Sequence, residues 1–289
     1  MGKNNILKME VLISDQKKVE NLKNKIREEG IKNLHVLSDF DRTLTYGENE
    51  GRRTPSLISE LRNGNYLSKE YAEKAHALYD KYHPIEKDPS IPLKEKKEKM
   101  QEWWEKHDKL LVDSGLSKDD FKDIIENGKA KLREGVSNFL DFLHEKNIPL
   151  VIFSSSGAGN AIPMFFKKIN KDYSNIYYVV NKFNWNKEGR AISVKKPIIH
   201  VMNKDETGLK QFSEIYKKIK ERRNVILLGD SLGDLGMIKG FDCKNVIKIG
   251  FLNLNYNQNL EEYKENFDIV LKEDGEFNYI TELMKSLKK

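Results

Sequence analysis

Residues 34–45 read Leu34-His35-Val36-Leu37-Ser38-Asp39-Phe40-Asp41-Arg42-Thr43-Leu44-Thr45. The run from Leu34 to Leu37 has the apolar character and polar flanks of a short buried β-strand. It would deliver two carboxylates, Asp39 and Asp41, to its C-terminal tip. In open α/β sheets, ligands bind in the crevice beyond the carboxyl ends of the strands. Two acids there can divide the labour, one as nucleophile and the other as general acid/base. An acidic loop that only caps a helix fits the same residues, and the choice falls to the rest of the chain.

A second apolar run, Ile148 to Phe153, leads into Ser154-Ser155-Ser156-Gly157-Ala158-Gly159. A third, Val225-Ile226-Leu227-Leu228, leads into Gly229-Asp230-Ser231-Leu232-Gly233-Asp234. Lys204 lies between them, in Asn203-Lys204-Asp205. The order DxDxT, hydroxyl-and-glycine turn, lysine, GDSxxD resembles the four motifs of the haloacid dehalogenase (HAD) superfamily, mostly magnesium-dependent phosphatases. That resemblance implies an α/β fold with an HAD-like Rossmannoid core, a parallel sheet flanked by helices.

Composition bounds the alternatives. The chain has 289 residues, 33% of them charged and 38% hydrophobic, enough to bury a substantial core under a charged surface. Its net charge of +6 comes from lysines interleaved with glutamates. The run Lys94-Glu95-Lys96-Lys97-Glu98-Lys99 reads as the solvated face of a helix, not a polyanion site. No nucleic-acid partner is expected, since only the pI of about 9.0 speaks for one. A mild positive field also suits a phosphorylated substrate. The single cysteine, Cys243, excludes an intrachain disulfide and a cysteine-rich zinc site. No stretch has the apolar length of a membrane span, and the first residues carry no signal core. The expected compartment is the cytoplasm, and the default oligomeric state is a monomer.

The pattern along the chain is that of a core interrupted by an insertion. An amphipathic helix is expected over residues 16–29, with Val19, Leu22 and Ile26 on one face. Residues 51–133 read as a mainly helical cap, placed after the first motif. Tyr71, Ala75, Leu78 and Tyr82 form one apolar stripe of it; Met100, Trp103, Trp104, His107, Leu110 and Leu111 form another. Ser117 to Asp120 has the form of a capping box. Residues 1–50 and 134–289 make the core, with strands expected at 148–153, 176–180, 224–229, 245–249 and 268–271. Alternation with helices predicts a parallel sheet. Residues 181–194 read as a β-hairpin excursion, and the first dozen residues have no assigned role.

The superfamily resemblance also implies roles. Asp39 would attack phosphorus, and Asp41 would protonate the leaving oxygen and then activate water. Mg²⁺ would be held by Asp39, the carbonyl of Asp41 and Asp230. Ser154 and the amides after it, with Ser155, would hold phosphate oxygens. Lys204 would neutralise the nucleophile and the transferring group. Thr43 and Asp234 would support this set. Lys204 as a surface lysine and Asp234 as a helix N-cap are the plain readings of the same residues.

Lys81 to Pro89 and Met100 to Trp104 resemble the cap of the cytosolic 5′-nucleotidase III (pyrimidine 5′-nucleotidase) family. Similar stretches at 139–153, 199–204, 224–234, 248–253 and 263–271 extend the resemblance over nearly the whole chain. It implies a Mg²⁺-dependent hydrolase of nucleoside 5′-monophosphates, with phosphate transfer to a second nucleoside as a side reaction. Glu86 would hydrogen-bond the base, and Trp103 would stack on it. Otherwise Glu86 is a loop charge and one of the adjacent tryptophans is core. Two departures stand out: His107 occupies a position where relatives carry serine, and the Ser154–Asn160 turn is longer. His107 there can stack, donate a hydrogen bond, or titrate near neutrality. The rival readings are a phosphatase of phosphoserine or sugar phosphates on the same scaffold and a non-catalytic nucleotide-binding protein.

Overall fold

The computed structural model describes residues 11–49, 52–64 and 66–288. Residues 1–10, which make up most of the segment without an assigned role, lie outside the described residues. Seven strands form the main sheet, in the order Val11–Ile13, Ile269–Lys272, Asn245–Leu252, Asn224–Gly229, Leu34–Ser38, Leu150–Ser154 and Ile176–Val180. All neighbours pair in parallel except Val11–Ile13, which runs antiparallel on Ile269–Lys272. The α/β expectation is met, and the antiparallel edge strand is an addition to it. Its three half-buried residues are too few to show a period.

The central strands are buried along their whole length, as strands covered by helices on both faces must be. Leu34–Ser38 lies between Asn224–Gly229 and Leu150–Ser154. After Leu34–Ser38 the chain winds outward on one side and returns through Asn224–Gly229 on the other. The strand order therefore reverses at the tip of Leu34–Ser38, the position at which open α/β sheets bind their ligands.

The first helix, Gln16–Glu29, starts at Asp15, whose carboxylate accepts from the Lys18 amide at 2.9 Å. It buries Val19 and Ile26 and ends at Gly30, whose φ of 82° suits glycine. Four helices follow the first motif: Leu57–Asn63, Lys69–Lys87, Leu93–Asp113 and Lys118–Asn127. Ser56, Ser68 and Ser117 cap three of them, and Ser117 with Asp120 closes the predicted capping box. The chain enters and leaves this helical segment side by side, since Thr45 pairs with Leu132 and the Tyr46 amide donates to the Lys131 carbonyl at 2.9 Å. The hairpin excursion forms as expected, from Phe183–Trp185 and Ala191–Val194.

The Lys69–Lys87 helix carries Pro84 and runs through Glu86, so the loop reading of Glu86 is corrected. Pro84 would normally signal a break, because it removes one ladder donor. Here the last turn is closed by the Asp88 amide, which donates to the Pro84 carbonyl at 3.0 Å.

Candidate active site

Three of the predicted groups meet directly beyond the strand tips. Lys204 Nζ donates to Asp39 Oδ1 at 2.6 Å and to Asp234 Oδ1 at 2.8 Å, and all three residues are buried. Asp234 also closes a capping box from its third position: its Oδ2 accepts from the amide and hydroxyl of Ser231 at 3.0 and 2.9 Å. The N-cap of Leu232–Ile238 is Ser231, so the N-cap reading of Asp234 is corrected to the third residue of a capping box, and the surface reading of Lys204 is corrected too. Gly229 permits the approach, because a Cβ there would stand 2.5 Å from that of Asp234.

Asp41 is buried, and its Oδ1 accepts from the Leu57 amide at 3.0 Å, tying the acidic loop to the first turn of Leu57–Asn63. Arg42 Nε lies 3.2 Å from Asp230 Oδ2. Burial lifts the carboxyls. Asp41 rises to about 6, against a partial offset from Arg42. Asp39 is raised well above its ordinary value by burial, with Lys204 opposing and the other acids adding. Asp230 is raised for the same first reason. Lys204, which burial by itself would lower, is pushed up by Asp234 and Asp39.

Crowded buried carboxylates invite a cation. Among the described residues no three acidic, histidine or cysteine side chains form a ready-made metal cluster. The predicted set asks for less: two carboxylates, Asp39 and Asp230, with the Asp41 carbonyl. This all-oxygen donor set, its carboxyls raised by burial and mutual repulsion, fits a hard divalent ion such as Mg²⁺.

The Ser154–Asn160 turn is built by its own hydroxyls. Ser154 Oγ accepts from the Ser156 amide and Ser156 Oγ from the Ala158 amide, both at 3.2 Å. Asn181, fully buried and overlooked in the sequence, fixes this turn. Its Nδ2 donates to the carbonyls of Ser155 and Ser156 at 3.3 Å and of Ile199 at 2.8 Å, while its Oδ1 accepts from the Ile199 amide. One side chain thus links the turn to the segment leading to Lys204.

Arg133 was also overlooked. It is 1% exposed, and it donates to the carbonyls of Thr43 (2.8 Å), Arg42 (2.7 Å) and Gly275 (3.0 Å) and to Asn253 Oδ1 (2.6 Å). Its Nη1 pairs with Asp274 at 2.7 Å, and its plane lies over Phe251. Thr43 thus contributes its carbonyl; its buried hydroxyl has no hydrogen-bond partner among the described residues.

Both tryptophans are buried to the same degree, so neither alone is the core residue. They belong to a ladder of rings, Tyr82, Trp103, Trp104, His107 and Tyr71, with successive centroids 5.5–6.1 Å apart. Trp104 lies against the Ser154–Asn160 turn, since a Cβ on Gly157 would come within 2.7 Å of it. Trp103 packs with Tyr82 and Met100, against the partly buried Val201 and Met202. His107 stacks in the ladder, and its Nε2 shares a 3.1 Å hydrogen bond with the Tyr71 hydroxyl. Burial holds its pKa down at about 3, so the expectation that it titrates near neutrality is corrected. Glu86 is half-buried, and its Oε1 lies 3.4 Å from Lys87. Lys97 bridges to Asp205, beside Lys204, at 3.4 Å and so ties the Leu93–Asp113 helix to the segment that carries Lys204.

A family model described as pyrimidine 5′-nucleotidase (UMPH-1) matches residues 42–288. The chain belongs to the pyrimidine 5′-nucleotidase family. It is a 5′-nucleotidase, a phosphoric monoester hydrolase, as the family expectation held. The Homo sapiens 7-methylguanosine phosphate-specific 5′-nucleotidase is 34% identical over 98% of this chain and 94% of its own length. A Caenorhabditis elegans relative, named putative cytosolic 5′-nucleotidase 3, is 32% identical over 93% of this chain and 73% of its own. Among solved structures, cytosolic 5′-nucleotidase IIIB bound to cytidine superposes with a TM-score of 0.86 at 30% identity, covering 96% and 93% of the two chains. A phosphoserine phosphatase shares the fold at a TM-score of 0.50 and 17% identity. Among the described residues no helix is long and apolar enough to cross a membrane.

Proposed function

We propose that this 5′-nucleotidase hydrolyses pyrimidine nucleoside 5′-monophosphates through a phosphoryl-enzyme formed on Asp39. The convergence of Asp39, Lys204 and Asp234 at 2.6 and 2.8 Å, beside Asp41, carries the reading. An Asp39 oxygen attacks phosphorus as the bond from phosphorus to O5′ breaks. Asp41, whose pKa near 6 keeps a proton within reach, gives it to O5′ and the nucleoside leaves. Water then attacks phosphorus and returns a proton to Asp41. Asp39 is released as the carboxylate, with inorganic phosphate as the other product. A second nucleoside in place of water would receive the phosphoryl group. Lys204 offsets charge on Asp39 and on the phosphoryl oxygens, while Ser154, Ser155 and the turn amides cradle them. Asp39, the Asp41 carbonyl and Asp230 would hold Mg²⁺, which when bound supplies charge stabilisation to the transferring group. Thr43 and Asp234 position this set.

Residues 51–133 act as the cap over a core made of residues 1–50 and 134–289. The base would meet Glu86 and the Trp103 face, with His107 behind as a neutral ring. A carboxylate accepts from the exocyclic amine of cytosine. The cytidine complex of cytosolic 5′-nucleotidase IIIB supports this choice. The names of the vertebrate relatives favour a second reading, 7-methylguanosine monophosphate, whose cationic ring also suits a tryptophan face. We place the enzyme in the cytoplasm as a monomer, with support for the compartment from the cytosolic relative.

Turnover of CMP, UMP, 7-methyl-GMP and a simple phosphate ester by wild type and Glu86→Ala tests the base reading. Glu86→Ala should lower kcat/KM for the preferred nucleotide by about 10²-fold or more and spare the ester. Equal loss on both substrates would refute it.

A further inference from the structure

Arg42 is an unusual residue to find between two catalytic carboxylates and the turn that follows them. Its φ of 60° lies in the left-handed region, which a long side chain rarely adopts. The strain is held in place from three sides. Its amide donates to Thr45 Oγ1 at 2.8 Å, and its carbonyl accepts from Arg133 Nη2 at 2.7 Å and from Asn253 Nδ2 at 2.9 Å. With the backbone locked, only side-chain rotations remain, and they bring Nε to 3.2 Å from Asp230 Oδ2. The guanidinium is about one-fifth exposed and the Asp230 carboxylate about one-eighth, so screening of the pair is partial.

The charge balance gives this contact a purpose. Four carboxylates, Asp39, Asp41, Asp230 and Asp234, gather around the strand tips. Lys204 is already engaged by Asp39 and Asp234. Asp230 is left to Arg42, which is the side-chain partner its carboxylate has among the described residues. Asp230 is also the carboxylate that, with Asp39, would hold the divalent ion.

We infer that Arg42 is a built-in counter-cation for the metal site: its guanidinium, 3.2 Å from Asp230, competes with a divalent ion for that carboxylate. The inference rests on the Mg²⁺ reading of Asp39, Asp41 and Asp230 given above. Two consequences follow. Arg42 lowers the affinity for Mg²⁺, because the ion must displace a paired cation and then bear its positive charge nearby. It also stabilises the protein without a bound cation, in which Asp230, about one-eighth exposed, would otherwise have only the charges of Lys204 and Arg53 to offset it.

Calorimetric titration of Mg²⁺ into the EDTA-stripped full chain, without substrate, tests this. Arg42→Met and Arg42→Gly are compared with wild type; the glycine also relieves the left-handed backbone, so it keeps the test alive should the methionine variant misfold. Both should bind Mg²⁺ at least about tenfold more tightly than wild type. For Arg42→Met, the rise in melting temperature on adding saturating Mg²⁺ should also be larger than for wild type. Saturable wild-type binding with equal or weaker affinity in both variants would overturn the role of Arg42 and leave the metal reading intact. No Mg²⁺ binding by any of the three would overturn the metal reading itself.

Discussion

Lys204 Nζ stands 2.6 Å from Asp39 Oδ1, although 165 residues of chain separate them. The pairing is made by topology: Asp39 comes off the tip of Leu34–Ser38, while Lys204 follows a short turn at Val201–Asn203 that packs beneath Trp103. A buried ammonium between two carboxylates opposes the rise that burial imposes on Asp39, whose pKa still lies well above its ordinary value.

Lys204→Ala should therefore lower kcat for nucleotide hydrolysis by about 10²–10³-fold, the scale on which loss of one preorganised electrostatic group acts. KM should change far less. Steady-state kinetics on the preferred nucleotide would show it; a rise in KM with kcat intact would reduce Lys204 to a ground-state contact.

Arg133 clamps the carbonyls of Arg42 and Thr43 from a site with almost no exposure. Truncation to Ala should cost roughly 3–5 kcal/mol in urea denaturation, because the pair with Asp274 is broken inside the fold. Arg133→Lys should recover little, since an ammonium cannot serve the separated acceptors that the planar fork reaches. Full recovery by lysine would show that charge alone matters.

Asp108 offers a pH test remote from the acidic loop. It is 1% exposed, both its oxygens lack hydrogen-bond partners among the described residues, and burial pushes its pKa up to about 7, with Lys196 opposing and Glu105 adding. An ordinary carboxyl ionises near about 4. Its folded pKa is thus raised, so the unfolded chain releases the proton first. The stability it contributes is complete below about pH 4 and falls progressively up to about pH 7. Asp108→Asn lacks this loss. Its stability relative to wild type should grow between pH 4 and 7 by a few kcal/mol at most and then level off, since each tenfold change in proton affinity is worth about 1.4 kcal/mol. A difference that does not vary with pH would contradict the buried, unpaired state of Asp108.

The strand tips were legible because each motif follows an apolar run, and an apolar run followed by glycine and small polar residues is a local signal. Asp39, Asp41, Lys204 and Asp230 were singled out by the order of their motifs and its resemblance to that of the superfamily, not by any local signal at Lys204. Arg133 and Asn181 could not be read this way. An arginine or an asparagine is ordinarily exposed, and nothing local marks the one whose donors are all spent on distant carbonyls. Glu86 was obscured by Pro84, a helix breaker that the Lys69–Lys87 helix accommodates in its last turns. The pKa of His107 depends on Trp104 and Tyr71 closing over it, a packing outcome that the helical stripe alone does not contain. Val11–Ile13 joins the sheet only through its partner Ile269–Lys272, so its strand character comes from pairing.

The central claim is that Asp39 carries the phosphoryl group, and acid-quenched turnover of ³²P-labelled nucleoside monophosphate tests it most directly. Radioactive phosphate should appear on the peptide containing Asp39 during turnover, vanish when substrate is exhausted, and be absent from Asp39→Asn together with activity. Sustained hydrolysis by Asp39→Asn, with no labelled peptide in either protein, would contradict the account.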